Sequence, residues 1–306
     1  MRKALMIGST VVDVLIRVDH LPSLEEDVNP LGQSLSLGGC CYNVSHMLEL
    51  NYVPYTLFSP VGTGLFGTFV SSELMKQGIE PVLSVKEENG CCYCIVDNQG
   101  YRTFLAVHGA EYRFRKEWFD NLDVSEYTDV YICGLEIEEP TGIHIVEFIQ
   151  NHPELNLFFA PSARIMHVPK ERMEAILDCH PILHLNRREA EWYLMDRGRW
   201  NGESADLADL ARLLFERTGN LVIVTDGEHG SAAYDGTAAY FAPAKKTEAK
   251  DGTGAGDSHI GTIMAYLLQG KPIEKALSFA NLVASRVVEV PGAVLSEEEY
   301  EKIREK

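Results

Sequence analysis

Residues 251–272 read DGTGAGDSHIGTIMAYLLQGKP, and this stretch passes from a glycine-rich turn directly into a helix. Apolar side chains then recur with helical spacing at Ile260, Ile263, Met264 and Leu267. Because the turn carries almost no side chains, its backbone N–H groups can approach an anion closely, and the positive end of the helix dipole adds to the attraction. The stretch therefore predicts an anion site at the N-terminus of a helix.

The carboxylate of Asp257 follows this turn in the first turn of the predicted helix. From there it can accept a proton from a hydroxyl held beside the anion-binding amides. That combination suits phosphoryl transfer, in which positioning and charge neutralisation do most of the catalytic work. An acidic residue at a helix start is also stabilising by itself, so the spacing alone leaves both interpretations open.

The rest of the chain alternates short buried strands with amphipathic helices, which predicts an α/β fold with a central, mostly parallel sheet in three Rossmann-like layers. We expect one domain over residues 1–306. Two segments, about 11–37 and 82–112, instead alternate apolar and polar residues and predict a small antiparallel β lid inserted in that domain. Asn98-Gln99-Gly100 is predicted to form a hairpin turn within it.

Composition limits the partners of the chain. Its 306 residues contain 27 Lys and Arg against 45 Asp and Glu, and the net charge of −18 repels nucleic acid and anionic membrane surfaces. We expect neither partner. We also expect no membrane span and no signal peptide, which favours a cytoplasmic location. Seven cysteines, an odd number, are typical of reduced thiols rather than of a disulfide framework. The CCYC run (91–94) is interpreted as part of a strand rather than a metal site.

Four motifs resemble signatures of the ribokinase-like (PfkB) carbohydrate kinase family, and their order along the chain also matches that family. The stretch DGTGAGD (251–257) is similar to its D-T-x-G-A-G-D signature, and Gly38-Gly39 with Asn43 resembles its GG-x-x-x-N signature. The other two matches are N-x-x-E at Asn186 and Glu189, and T-x-G-x-x-G at Thr225, Gly227 and Gly230. The motifs extend over nearly the whole chain, so the resemblance favours an ATP-dependent kinase acting on a hydroxyl of a small sugar.

The resemblance also implies roles for individual residues. Asp257 would be the catalytic base, and Gly254, Ala255 and Gly256 would form the anion hole. ATP would lie along the C-terminal half of the chain, with Mg²⁺ organised near Asn186 and Glu189. Nucleotide contacts are implied for Thr225, Gly227, Gly230 and Asn281, and Glu136 lies near a family position that touches the nucleotide or metal region.

The acceptor sugar would lie between lid and sheet. Substrate contacts are expected from Asp13, Gly38, Gly39 and Asn43, with Arg102 and Arg164 as candidate clamps for a carboxylate or phosphate. Cys40 stands where members acting on phosphorylated sugars often carry lysine, which favours an uncharged acceptor. The resemblance also suggests a monovalent cation, K⁺, at Asp251 and Thr253, although Gly252 replaces the usual threonine between them.

Other functions stay open at this stage. The acceptor could instead be a nucleoside, including one of the pseudouridine type, stacked on Tyr42, Phe104 or Tyr112. A catalytically silent ligand-binding protein on the same fold is a second alternative. A dinucleotide-dependent oxidoreductase is disfavoured because the first strand is followed by GSTVVD and lacks GxGxxG. The exposed lid strands predict a homodimer paired through the lid.

Overall fold

The computed structural model describes residues 2–99 and 101–304. Its large sheet contains eight strands: β1 (Ala4–Ile7), β4 (Tyr55–Phe58), β9 (Asp129–Cys133), β10 (Asn156–Ala160), β11 (Ile182–Asn186), β12 (Val222–Thr225), β13 (Ser231–Tyr234) and β14 (Ala239–Ala242). They are arranged in the order β14-β13-β12-β11-β10-β9-β1-β4. All pairs from β4 to β12 are parallel, and only β13 and β14 join antiparallel. The predicted mostly parallel sheet is confirmed.

Helices cover both faces of this sheet. They are α1 (Cys40–Leu50), α2 (Gly64–Lys76), α3 (Lys116–Phe119), α4 (Gly134–Glu138), α5 (Ile143–Asn151), α6 (Lys170–Leu177), α7 (Arg187–Asp196), α8 (Leu207–Thr218), α9 (Ala255–Leu268), α10 (Ile273–Val287) and α11 (Glu297–Arg304). Strand β9 shows why its sequence is apolar throughout: Val130 and Ile132 join the core under α5 to α8, whereas Tyr131 and Cys133 join the core under α1 and α9. The three-layer prediction is therefore confirmed.

A smaller sheet, the lid sheet, contains β2 (Val11–Arg17), β3 (Gly32–Gly38), β7 (Cys91–Val96) and β8 (Arg102–Val107), in the order β3-β2-β7-β8. Its two outer pairs are antiparallel as predicted, but the central pair, β2 with β7, is parallel. Alternation along a strand reveals its two faces and not the direction of its neighbour, so the sequence could not distinguish these pairings. Of the predicted turn between β7 and β8, Gly100 lies outside the described residues.

One further strand pair was not predicted. The strand β6 (Leu83–Glu88), in the segment expected to belong to the lid, pairs in parallel with β5 (Pro60–Thr63) instead of joining the lid sheet. Asn89, just after β6, holds the two segments together by accepting a hydrogen bond from the backbone of Gly62 at 2.5 Å.

The site end of the molecule is positioned by a close contact between α1 and α9. A Cβ atom added at Gly261 of α9 would lie 2.7 Å from Met47 Cβ and 3.0 Å from the Val44 carbonyl oxygen of α1. Glycine is thus the residue that lets the two helices approach this closely. Because Gly261 lies about one helical turn beyond Asp257, the contact fixes the start of α9 against the start of α1.

A buried chain of hydrogen bonds holds α9 on its other side. His184 Nε2 of β11 lies 2.9 Å from His259 Nδ1, and His259 Nε2 lies 3.0 Å from the Asn281 side-chain oxygen. The Asn281 amide nitrogen donates to the carbonyl of Ala242, which makes its oxygen the acceptor, so His259 donates through Nε2 and accepts through Nδ1. Burial lowers the pKa of both histidines, that of His259 to about 4, and keeps them neutral.

The helix contact gives a prediction of defined sign. In an unhindered helix, Gly261→Ala would stabilise the protein by about 1 kcal/mol. Here the added methyl group meets Met47 and the α1 backbone, so we expect a net loss of roughly 1–3 kcal/mol of unfolding free energy. Urea unfolding monitored by circular dichroism measures this quantity. An unchanged or higher midpoint with an unchanged slope would contradict the proposed contact.

Candidate active site

The predicted base, Asp257, lies in the first turn of α9 and is partly buried. The Asn43 side-chain amide of α1 donates a 2.8 Å hydrogen bond to Asp257 Oδ2. Burial raises the pKa of Asp257, and the hydrogen bonds from Asn43 and the Cys40 thiol oppose that shift. A carboxylate in this setting is held in one orientation and is a stronger proton acceptor than an exposed aspartate.

The anion turn, residues 251–256, leads into α9. Gly254 precedes the helix in the left-handed region (φ 73°), and a Cβ atom there would overlap the Ala293 carbonyl. Gly256 is exposed, and the first amides of an α-helix have no partner within the helix. Inside the turn, the Thr253 backbone N–H donates to Asp251 Oδ1 at 2.8 Å. The turn therefore presents backbone donors beside Asp257 in a fixed conformation.

The predicted acceptor residues converge on the same place. Asp13 points from β2 to the end of β3, where a Cβ atom at Gly38 would overlap its carboxylate. Gly39 has a φ of 95°, and a Cβ atom there would lie 2.6 Å from the Ser9 carbonyl oxygen. Burial raises the pKa of Asp13 to about 7, with further contributions from the negative charges of Asp257 and Asp251. The structure thus brings Asp13, Gly38, Gly39 and Asn43 together around Asp257.

Glu136 of α4 is a site candidate whose position the motifs did not define. It is fully buried (0% exposed), and its Oε1 accepts a 2.8 Å hydrogen bond from the Ser9 backbone. Its other oxygen, Oε2, has no hydrogen-bond partner among the described residues, and the same holds for the Ser9 and Thr10 hydroxyls and for Asn43 Oδ1. Burial raises the pKa of Glu136 to about 7. Buried polar atoms without partners indicate a place for a polar ligand or water.

The sequence signal that could have located Glu136 in the site is its position shortly after β9. Ligands of parallel α/β sheets bind at the carboxyl ends of the strands. The resemblance suggested a nucleotide or metal contact for this residue. The structure places it beside Gly8 and Ser9, next to the acceptor residues.

The predicted nucleotide residues lie at or just beyond the carboxyl ends of β11 and β12, except for Asn281, which lies in α10. Asn186 and Thr225 are direct neighbours in the sheet register. Asn186 caps α7 through a reciprocal capping box with Glu189, whose pKa burial raises to about 7. Gly230 has a φ of 93°, and a Cβ atom there would overlap the Ala242 carbonyl. Gly227 is exposed and open, whereas the Asn281 amide is used within the buried histidine chain.

Glu189, predicted to help organise Mg²⁺, already has both carboxylate oxygens hydrogen-bonded to Asn186. Glu189 Oε2 accepts from the Asn186 backbone at 3.0 Å, and Oε1 accepts from the Asn186 side chain at 2.6 Å. Within residues 2–99 and 101–304, no group of three or more His, Cys, Asp or Glu side chains has the arrangement of a metal site. The donor set fits a Mg²⁺ that is carried by substrate phosphates and reached from Glu189 through water.

The candidate clamps Arg102 and Arg164 both have carboxylate partners. Arg164 pairs with Glu138 through both of its forked nitrogens. Arg102, at the start of β8, pairs with Asp251 of the anion turn and donates to Thr253 Oγ1 at 3.1 Å. The structure therefore brings Arg102, Asp251 and Thr253 together in one cluster.

The aromatic candidates for stacking a nucleoside have different environments. Tyr42 is buried, and its hydroxyl donates to Gln77 at 3.0 Å. Tyr112 is also buried and stacks on His108, with 3.9 Å between ring centroids. Phe104 is 49% exposed and lies on the same face of the lid sheet as Asp13, as the strand register shows. Only Phe104 of these three presents an open ring on that face.

A partly buried carboxylate beside a glycine turn at a helix start, under a small lid on a mostly parallel sheet, is an arrangement suited to phosphoryl transfer. The family profile described as pfkB family carbohydrate kinase matches residues 1–299, so the chain belongs to this family. The prediction of a ribokinase-like, ATP-dependent carbohydrate kinase is confirmed at this level.

Individual relatives agree with the family. The chain is 29% identical over 288 residues to the Escherichia coli (strain K12) protein described as an uncharacterized sugar kinase, YegV, covering 94% of this chain and 88% of that relative. The crystal structure of ribokinase from Thermotoga maritima matches with a TM-score of 0.84 at 22% identity, covering 100% of both chains. Ribokinase from Cryptococcus neoformans in complex with ADP matches with a TM-score of 0.76 at 22% identity, covering 100% of this chain and 99% of that one.

The overlap at Gly38 gives a test of the acceptor site. Gly38→Ala should displace the Asp13 carboxylate and raise the KM for the acceptor about 10- to 100-fold, because small displacements of positioning groups are costly. MgATP affinity and folding should be retained. Gly32→Ala is the matched control, since Gly32 lies in the same strand and a Cβ atom there meets nothing within 4 Å. Equal acceptor KM values for the two variants, measured by steady-state kinetics, would contradict the assignment.

Proposed function

We propose that this carbohydrate kinase phosphorylates a hydroxyl group of a small, uncharged sugar, with Asp257 as the general base. The observation that carries the proposal is the hydrogen bond from Asn43 to Asp257, because it joins the GG-x-x-x-N motif to the anion turn at one point. A base, anion-binding amides and polyol-binding carboxylates then share one small volume.

In the proposed reaction, Asp257 accepts the proton of the acceptor hydroxyl while the hydroxyl oxygen attacks the γ-phosphorus of ATP. The bond from that phosphorus to the β–γ bridging oxygen breaks, and ADP leaves with the bonding electron pair. The amides of residues 254–256 stabilise the charge on the transferred phosphoryl group. Mg²⁺, when bound with ATP, would neutralise phosphate charge, with Asn186 and Glu189 positioning its waters.

An uncharged acceptor is supported by the charges around the site. Asp13, Glu136 and Asp257 are carboxyl groups, which accept hydrogen bonds from the hydroxyls of a polyol. Both candidate arginines are already paired, and the residue after the GG motif is Cys40 instead of a cation. A phosphorylated acceptor would therefore meet negative charge without a free partner cation in this set of residues.

A nucleoside acceptor is the second candidate. It is favoured by one observation, the open ring of Phe104 on the face of the lid sheet that carries Asp13. An aromatic ring in that position can stack on a base. A panel containing both sugars and nucleosides separates the two candidates.

The homodimer also stays a proposal, supported by the exposed apolar side chains of the lid strands. Leu35, Phe104, Leu105 and Val107 are each at least 41% exposed. A monomeric mass by light scattering at micromolar concentration would contradict it. The absence of nucleic-acid and membrane partners stays a prediction from the net charge of −18, and the cytoplasmic location stays a prediction from the sequence. No helix in the described part of the chain is long and apolar enough to cross a membrane.

The decisive test is ATP consumption with Mg²⁺ against free sugars, sugar acids, sugar phosphates and nucleosides. We expect turnover with an uncharged sugar, and we expect Asp257→Asn to lower kcat by about 10²- to 10⁴-fold while folding and MgATP affinity are retained. Asp209→Asn is the matched control because Asp209 also lies in a first helical turn, that of α8, but is exposed and pairs with Arg212.

Each outcome decides between specific hypotheses. Full activity in Asp257→Asn would exclude this residue as the base. Turnover of nucleosides alone would replace the sugar proposal by the second candidate, and turnover of sugar phosphates alone would refute an uncharged acceptor. ATP binding without turnover of any compound in the panel would favour a silent ligand-binding protein.

A further inference from the structure

Arg102 connects the lid sheet directly to the anion turn. Its guanidinium group pairs with the Asp251 carboxylate, donates to Thr253 Oγ1 at 3.1 Å and donates to the Lys250 carbonyl oxygen at 3.1 Å. The three acceptors are a carboxylate, a hydroxyl and a carbonyl oxygen from four consecutive residues. One arginine of the lid therefore binds three oxygens, two in the anion turn and one on the residue before it.

A K⁺ ion at Asp251 and Thr253 would compete with Arg102 for the carboxylate and hydroxyl oxygens of these two residues. Monovalent and other hard cations bind carboxylate, hydroxyl and carbonyl oxygens, so the donor chemistry would fit K⁺ if the oxygens were free. They are not free, because the Arg102 side chain, 19% exposed, lies against Asp251, 11% exposed, with its charge on the carboxylate. The residues present do not fit a K⁺ ion while the lid is in this position.

We propose that the guanidinium group of Arg102 is the built-in cation of the anion turn, and that it replaces K⁺ when the lid is closed. Asp251 lies in a buried position, where an unpaired carboxylate would be costly. Burial would raise the pKa of Asp251, but the hydrogen bonds from Thr253 and Arg102 hold it below its ordinary value. The paired Asp251 in turn accepts the Thr253 amide, which orders the turn.

This arrangement couples lid position to the anion hole. When the lid opens, Arg102 leaves, and Asp251 loses the partner that balances its charge. When the lid closes, the turn is ordered at the same time as the acceptor is enclosed. Arg102 is thus a positioning residue that acts through Asp251, and the coupling itself rests on the proposed function of the turn in phosphoryl transfer. The replacement of K⁺ by Arg102 does not rest on that function, and it can be tested without turnover.

The test is the thermal unfolding midpoint of the full chain in KCl and in tetramethylammonium chloride at equal ionic strength, since the organic cation is too large for such a site. The wild-type midpoint should be the same in both salts. Arg102→Met leaves Asp251 without its cation, so its midpoint should be higher in KCl by about 2–4 °C if K⁺ is present at about ten times its Kd. Arg102→Lys keeps a positive charge and should again show no difference between the salts.

Arg115→Met is the matched control. Arg115 pairs with Glu87, outside the anion turn, so its loss should produce no K⁺-specific shift. A K⁺-specific shift in the wild type would overturn the proposal, and so would the lack of one in folded Arg102→Met. If Arg102→Met does not fold, Arg102→Gln provides the same measurement. Because no step of this test requires kinase activity, its failure is distinguishable from a failure of the proposed function.

Discussion

The close approach of α1 and α9 at Gly261 is the constraint on which the site depends. It brings the starts of two helices together, one following the Gly38-Gly39 pair and one following the anion turn. At that point Asn43 donates to Asp257, and the motif at residues 38–43 and the motif at 251–257 become one site, although they lie more than 200 residues apart. The buried chain from His184 through His259 to Asn281 holds α9 from its other side.

The carboxyl groups around this contact bear on the proposed chemistry. Burial raises the pKa of Asp13, Glu136 and Asp257, and the negative charges of Asp257 and Asp251 add to the shift of Asp13. Such a region suits hydroxyl groups, which donate hydrogen bonds and bring no charge. In the proposed reaction, the backbone amides of residues 254–256 would supply the positive potential that stabilises the transferred phosphoryl group.

Local sequence patterns predicted the features of the fold that depend on residues close together in the chain. The apolar strands and the helical spacing of apolar residues predicted the parallel sheet and its helices. The glycine-rich stretch before Asp257 predicted the anion turn. Contacts across long separations were harder: the parallel pairing of β2 with β7, the β5–β6 pair, the position of Glu136 and the pairing of Arg102 with Asp251 all depend on tertiary packing. The sequence identified Arg102 as a candidate anion-binding residue. It did not identify Asp251, 149 residues away, as the partner of Arg102.

The most direct measurement is a crystal structure of the protein with MgADP, aluminium fluoride and the acceptor identified by turnover. We expect the planar fluoroaluminate group to lie against the amides of residues 254–256, with the acceptor hydroxyl within hydrogen-bond distance of Asp257 and the other hydroxyls near Asp13 and Glu136. A fluoroaluminate group bound away from the anion turn, or an acceptor hydroxyl facing a different carboxylate, would contradict the account.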